Sequence, residues 1–225
     1  MAEVHRLELG EVVLPDWHPR FRDGTCPILC FAIAHPDGIV VVDTGPRVGH
    51  PLIDEWFSPK IISIIDALNK VELDEREVTA IVNTHLHFDH CGQNEFLPHT
   101  PVWVTAEEIE AAGAEHYTNP EWAAIGEGRR RLSRDDEEIA DGVRILHTPG
   151  HTPGHQSVAV DTTRGLELIV GQACYGCGEF EIGRPAETDM HDAAWFKPGL
   201  ESLRRLKSLD PVVSHFSHDV AIFRR

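Results

Sequence analysis

Residues 84–90 read Thr-His-Leu-His-Phe-Asp-His and directly follow the apolar run Thr79 to Asn83. That run has the length and β-branched content of a buried strand. His85 and His87 are two apart, and in extended backbone residues i and i+2 point to the same side, so both imidazoles can reach one metal ion. Asp89 and His90 come next. If the chain turns there, they point elsewhere and can hold a second ion nearby. Imidazole together with carboxylate suits zinc, iron, manganese or cobalt.

Fifteen histidines are present. His5, His35, His50, His99 and His116 stand alone in turn-like or polar surroundings and read as ordinary surface side chains. Two further clusters do not. Thr148-Pro149-Gly150-His151-Thr152-Pro153-Gly154-His155 places two histidines in a turn built by proline and glycine. A rigid turn fixes an imidazole well, so His151 is the better ligand candidate. His155, at the start of the next strand, reads as a packing residue or a support for a ligand. His215-Phe216-Ser217-His218-Asp219 follows the last strand, with His218 as ligand and His215 divided between core and site.

Around these clusters, strands and helices alternate in groups. Val4 to Leu14 reads as a first strand. Pro27 to Ala34 and Ile39 to Val42 form a hairpin through His35-Pro36-Asp37-Gly38. Ser58-Pro59 reads as a helix start, followed by Ile61, Ile64, Ile65 and Leu68 at one-face spacing. Asp74 to Glu77 is a helical turn, and Glu127 to Asp141, with mixed charges, a solvated helix and turn. Strands are expected at Val102 to Thr105, Val143 to His147, Gln156 to Val160, Leu166 to Val170 and Pro211 to Ser214. Helices are expected at Ala106 to Ala112 and around Leu200, Leu203 and Leu206. Sheets covered by helices, in an α/β or α+β domain, fit this pattern.

Composition excludes several partners. Twenty Lys and Arg against 37 Asp and Glu give a net charge of −17, which opposes nucleic acid and anionic membrane surfaces. No apolar stretch reaches the roughly 20 residues of a membrane helix. The start is charged at Glu3, Arg6, Glu8 and Glu11 and does not read as a signal peptide. Five cysteines cannot all pair, and a cytoplasmic location keeps them as thiols. One domain over residues 1–225 is expected, acting on a small molecule. The oligomeric state is left open.

The order His85-x-His87-x-Asp89-His90, His151 in a Thr-Pro-Gly-His turn and a late His218-Asp219, with Asp43-Thr44-Gly45 closing an early strand, resembles the metallo-β-lactamase superfamily. The resemblance implies a four-layer αββα sandwich of two mixed β-sheets, with metals at one edge. Within the superfamily the chain is most similar to the N-acyl homoserine lactonases, which act in quorum quenching. It shares His-Leu-His-Phe-Asp-His at 85–90, Thr-Pro-Gly-His-x-Pro-Gly-His-Gln-Ser at 148–157 and Ala173-x-Tyr175. By that resemblance metal one takes His85, His87 and His151, and metal two takes Asp89, His90 and His218. Tyr175 bonds the substrate carbonyl, and Asp43 orients a ligand or caps a turn.

One departure matters. The family carries a metal-bridging aspartate where this chain has Gln172. Glutamine is neutral and offers only its carbonyl oxygen to a metal. One firm zinc site and a weaker second one are therefore expected, with Cys174 as a lesser substitute ligand. Cys26, Cys30 and Cys91 read as packing residues. The chemistry the resemblance implies is attack of metal-activated water on a lactone carbonyl polarised by a metal and Tyr175. Asp89 passes the proton to the leaving alkoxide. Aromatic pocket walls are sought among Trp17, Phe21, Trp56, Phe57, Tyr117, Trp122 and Phe180. Three alternatives stand beside the lactonase. A glyoxalase II-type thioesterase is disfavoured because the chain ends soon after His218. A persulfide dioxygenase-type iron enzyme is disfavoured because Gln172 removes its carboxylate ligand. The third is a metal-binding protein with a decayed site.

Overall fold

The computed structural model describes residues 1–18, 20 and 24–225. Its strands form two mixed sheets. The first holds β1 (Glu3–Val13), β2 (Thr25–His35), β3 (Gly38–Val42), β4 (Lys60–Ile61), β5 (Val78–Val82), β6 (Val102–Val104) and β7 (Arg130–Leu132). They lie in the order β4-β1-β2-β3-β5-β6-β7. The second holds β8 (Glu137–Ala140), β9 (Val143–His147), β10 (Gln156–Thr162), β11 (Gly165–Gly171), β12 (Val213–Phe216) and β13 (Phe223–Arg224), ordered β13-β12-β11-β10-β9-β8.

The period-2 alternation of each strand makes the layers. Leu29, Phe31 and Ile33 of β2, Val40 and Val42 of β3, and Ala80 and Val82 of β5 point inward. They meet Ile145, Val158, Val160 and Ile169 of the second sheet. The intervening residues of the first sheet, among them Ile28, Cys30, Ala32, Val41 and Ile81, face α2 (Ile64–Lys70) through Ile64, Ala67 and Leu68. On the far side, Leu146, Ala159, Leu168 and Val170 pack against Phe180 of α6 (Cys177–Ile182) and Leu203 and Leu206 of α7 (Phe196–Ser208). Both faces of each central strand are covered, so these strands read as continuous apolar runs rather than alternating ones. Each buried Leu, Ile, Val or Phe contributes about 1.5–3 kcal/mol of burial. The result is the expected αββα sandwich.

Two local expectations are corrected. Ser58-Pro59 does not begin a helix. Ser58 is the left-handed C-cap of α1 (Pro51–Phe57), at φ 41, and β4 follows it. The helix start with a hydroxyl cap lies one turn on: the Ser63 Oγ accepts from the Asp66 N–H to open α2. Residues 127–141 are not a solvated helix but contain edge strands β7 and β8, whose mixed charges suit exposed edges. The last long strand also runs further than expected, to Phe216, and takes His215 into the core side of the sheet.

β3 and β5 are parallel, as are β11 and β12, and β9 and β11 share a direction because both run antiparallel to β10. Their carboxyl ends therefore open at one edge of the sandwich. From that edge come residues 43–45, 83–90, 148–155, 171–175 and 217–218. Bonds between the sheets lock it: the Gln156 N–H donates to the Thr84 carbonyl at 2.8 Å and the Leu29 N–H to the Ser217 carbonyl at 3.0 Å.

Candidate metal centre

Two groups of ligand-type atoms form at this edge. His85, His87 and His151 make one; Asp89, His90 and His218 make the other; within each, the atoms lie within 4.8 Å of one another. The His85 and His90 rings are 3.9 Å apart, so the groups adjoin. His85 leaves the end of β5, while Asp89 and His90 sit on α3 (Phe88–Cys91), the one turn of helix that aims them away from His85 and His87. His151 rides the turn after β9, and His218 follows β12.

The imidazole tautomers can be read from their partners. A carboxylate or carbonyl can only accept, so a ring nitrogen facing one carries the proton. His90 Nδ1 donates to Asp43 Oδ2 at 2.8 Å, and His151 Nδ1 to the Asp189 carbonyl at 2.5 Å. The opposite nitrogens of these rings therefore present lone pairs to the centre. There His85 Nε2 and His87 Nδ1 are 3.0 Å apart, and His151 Nε2 and His87 Nδ1 3.2 Å. Burial holds His85 and His151 well below the ordinary histidine pKa and His87 at about 4. These neutral imidazoles bring their ring nitrogens to one point, which is how the ligands of a cation are arranged.

In the second group His218 Nδ1 faces the Pro27 carbonyl at 3.0 Å, and its Nε2 lies 3.2 Å from His90 Nε2. Asp89 Oδ2 is 3.5 Å from the same His218 atom. Burial raises the Asp89 pKa, but the neighbouring His90, His218 and His87 more than offset it and hold it below the ordinary carboxylate value. Gln172 Oε1 joins this group, 3.1 Å from His218 Nε2. The residues present thus fit two cations, with a neutral oxygen where a carboxylate would add charge.

Residues behind the centre orient it. Asp43 is buried at the end of β3 and takes three donors: His90 Nδ1, the Thr84 N–H and the Thr84 hydroxyl, the last two at 2.7 Å. Of the two expected roles for Asp43, the ligand-orienting one matches this geometry. His155 supports the site as expected: its Nε2 accepts from the Gln172 N–H at 3.0 Å. His215 lies on the core side, with Nε2 3.2 Å from Glu167 and its ring against Phe31. Cys174 is buried in the outer core and belongs to neither ligand group. Cys30 and Cys91 are buried, as expected of packing residues.

Sequence reasoning missed Glu108. It is fully buried and accepts from the Leu86 N–H at 2.8 Å, the Thr152 hydroxyl at 2.7 Å and the Tyr117 hydroxyl at 2.5 Å. Leu86 lies between two ligand-type histidines and Thr152 beside a third, so one carboxylate ties both segments of the first group. Thr105-x-x-Glu108 is a capping-box pattern, which hides this role. Thr105 does cap α4 (Ala106–Ala112), but the Glu108 side chain turns inward. Also unread were Arg20, which ion-pairs with Glu179 and Asp189, and the cavity-wall residues His18 and His191.

A cavity of about 220 Å³ opens onto the centre, with His87, His151 and Gln172 at its base and His18, Thr188 and His191 along its walls. Of the expected aromatic walls, Trp17, Trp56 and Phe57 form an edge-packed shelf next to Phe88, with Trp17 60% exposed. Tyr117 packs on the His87 ring at 4.7 Å. Trp122 and Phe180 are buried instead, and Phe21 lies outside the described residues. Tyr175 stands 5.2 Å from the His218 ring, but its hydroxyl bonds Cys26 Sγ at 2.9 Å, giving Cys26 a polar contact besides its packing.

Known proteins are similar to this chain. Residues 23–218 match the metallo-beta-lactamase superfamily. The chain is 31% identical over 212 residues to an N-acyl homoserine lactonase of a Bacillus species, covering 86% of this chain and 82% of the relative. It is 29% identical to the N-acyl homoserine lactonase AttM of Rhizobium radiobacter, over 75% of this chain and 70% of that one. A solved structure of a mutant of B. thuringiensis AiiA with N-decanoyl-L-homoserine bound at its active site superposes with a TM-score of 0.79 at 26% identity, over 96% of this chain and 93% of the other. Fold, order of elements and sequence agree: the chain belongs to the metallo-beta-lactamase superfamily.

Proposed function

We propose that this protein is a metal-dependent hydrolase that opens the ring ester of N-acyl homoserine lactones, with residues 1–225 acting as one unit. The observation that carries the reading is the pair of adjoining ligand-type clusters, with His87 and His151 of the first and Gln172 beside the second lining a small cavity. The lactonase relatives supply the substrate class.

His85, His87 and His151 hold the first ion in this reading, and Asp89, His90, His218 and the Gln172 carbonyl oxygen the second. Zinc suits the histidine-rich donor set, with iron, manganese or cobalt as alternatives. When bound, such ions supply Lewis acidity and an activated water. The chain does the rest. Asp89, next to both His90 and His218, carries a proton toward the alkoxide that leaves when the ring opens in this reading. Asp43 and the Asp189 carbonyl hold the protons of His90 and His151 away from the centre. A cavity of about 220 Å³ suits a small ring rather than a polymer. No helix among the described residues is long and apolar enough to cross a membrane, and five unpaired thiols suit the cytoplasm.

The test is a hydrolysis screen on zinc-loaded protein with acyl homoserine lactones, simple γ- and δ-lactones, a glutathione thioester and a cephalosporin. The expected result is turnover confined to lactones. Thioester turnover alone, or iron content with sulfur oxidation, would replace the reading.

A further inference from the structure

We propose that Gln172 is a catalytic residue whose side-chain Nε2 donates a hydrogen bond to the carbonyl oxygen of the bound ester and holds the charge that develops there. The inference takes its substrate, a ring ester, from the function proposed above.

Three observations carry it. The amide is oriented: Oε1 faces His218 Nε2 at 3.1 Å, on the side of the second ligand group. Nε2 has no protein partner among the described residues and is not a sealed buried atom, and the residue lines the cavity. The donor is therefore presented to whatever enters. The backbone is pinned as well. The Gln172 N–H donates to His155 Nε2, and Gly171 before it sits at φ +64, where a Cβ would come within 2.9 Å of His155 and Thr84. A donor held this firmly needs no reorganisation when charge appears on the substrate oxygen.

The third observation concerns the donor expected from the sequence. Tyr175 is turned away: its hydroxyl is 2.9 Å from Cys26 Sγ, itself buried. Arg20 lies over the Tyr175 ring at 3.8 Å, and Glu179 accepts the Tyr175 N–H at 3.0 Å. Tyr175 is absent from the cavity wall, whereas Gln172 is part of it. His18 and His191 also line the cavity, but neither bonds a member of either ligand group. Among the described residues that line the cavity, Gln172 alone combines a free donor with a hydrogen-bond contact to a ligand-type residue. A carboxylate at this position would add charge but could not donate.

The test separates donation from ligation. Gln172→Glu keeps an oxygen for the second group and loses the N–H donor. With zinc content measured on each preparation, Gln172→Glu is expected to match or exceed wild-type zinc, yet lose about 100-fold or more in kcat with KM within about threefold. Tyr175→Phe is expected to change kcat by less than about threefold. Independently of turnover, the Gln172 side-chain 15N–1H pair, assigned by its loss in Gln172→Glu, should move downfield as N-hexanoyl-L-homoserine saturates the zinc-loaded protein. Wild-type kcat in zinc-replete Gln172→Glu, or an unmoved amide pair at saturation, would overturn the proposal. If the wild type opens no lactone, the substrate reading fails, and the amide shift still decides the role of Gln172.

Discussion

Asp43→Asn tests how the centre is oriented. In the native site Asp43 Oδ2 accepts from both His90 Nδ1 and the Thr84 hydroxyl, and Oδ1 accepts the Thr84 N–H. An amide can keep one of these acceptors. Oriented to satisfy the Thr84 N–H, it turns its NH2 toward His90 Nδ1. The ring then relieves the donor–donor contact by moving its proton to Nε2, the atom that faces His218. That proton must leave before a cation binds. Losing a support of this kind costs about 10–100-fold in metal affinity, or about 1.4–2.8 kcal/mol. The first group feels less, because Thr84 Oγ1 remains available to His85 Nδ1 at 3.1 Å. Zinc titration against a chromophoric chelator should show the weaker class of site falling by about 10–100-fold and the tighter class by less than about fivefold. Equal losses at both sites, or no loss at either, would refute the argument that Asp43 acts by fixing the His90 tautomer.

Gln172→Asp should raise zinc content toward two ions per chain, since a carboxylate replaces a neutral oxygen beside His218; unchanged content by metal analysis would mean residue 172 does not face the second ion. Glu108→Ala leaves the Leu86 N–H and two hydroxyls without their buried acceptor and should cost about 3–5 kcal/mol in urea denaturation, while Glu108→Gln, which keeps an acceptor oxygen, costs less than half of that. Stability should also fall in acid through Glu167. Burial alone would raise its pKa, but hydrogen bonds from His215, Arg164 and Thr162 hold it at about 2, below the ordinary glutamate value of 4.5. A depressed carboxylate contributes stability that is full above its unfolded pKa and is lost as pH falls through the folded one. Urea midpoints should therefore drop between about pH 5 and pH 2, and Glu167→Gln should flatten that slope; an unchanged slope would assign acid sensitivity elsewhere.

Much of the site was legible because metal chemistry restricts residue type and spacing together. His85 and His87 at i and i+2, and His151 in a glycine–proline turn, admit few other readings. The αββα layering was legible through the superfamily resemblance and through the apolar runs of β2, β3, β5, β10 and β11. Other features depend on partners far along the chain. Glu108 matches a capping pattern that is satisfied locally, and only the folded chain turns its carboxylate to Leu86 and Thr152. Ser58-Pro59 carries a helix-start signal, but Lys60 and Ile61 pair with β1, and the helix opens at Ser63 instead. β7 and β8 are short, charged edge strands whose pairing, not their composition, defines them. The direction of the Tyr175 hydroxyl depends on Cys26, 149 residues earlier.

The most direct measurement is turnover of N-hexanoyl homoserine lactone by protein reconstituted with zinc, followed by proton release and repeated after chelation. The account predicts ring opening by the zinc-loaded protein, its loss on chelation and its return when zinc is restored. Absence of turnover with this and every other lactone, at high enzyme concentration and measured full zinc occupancy, would contradict it.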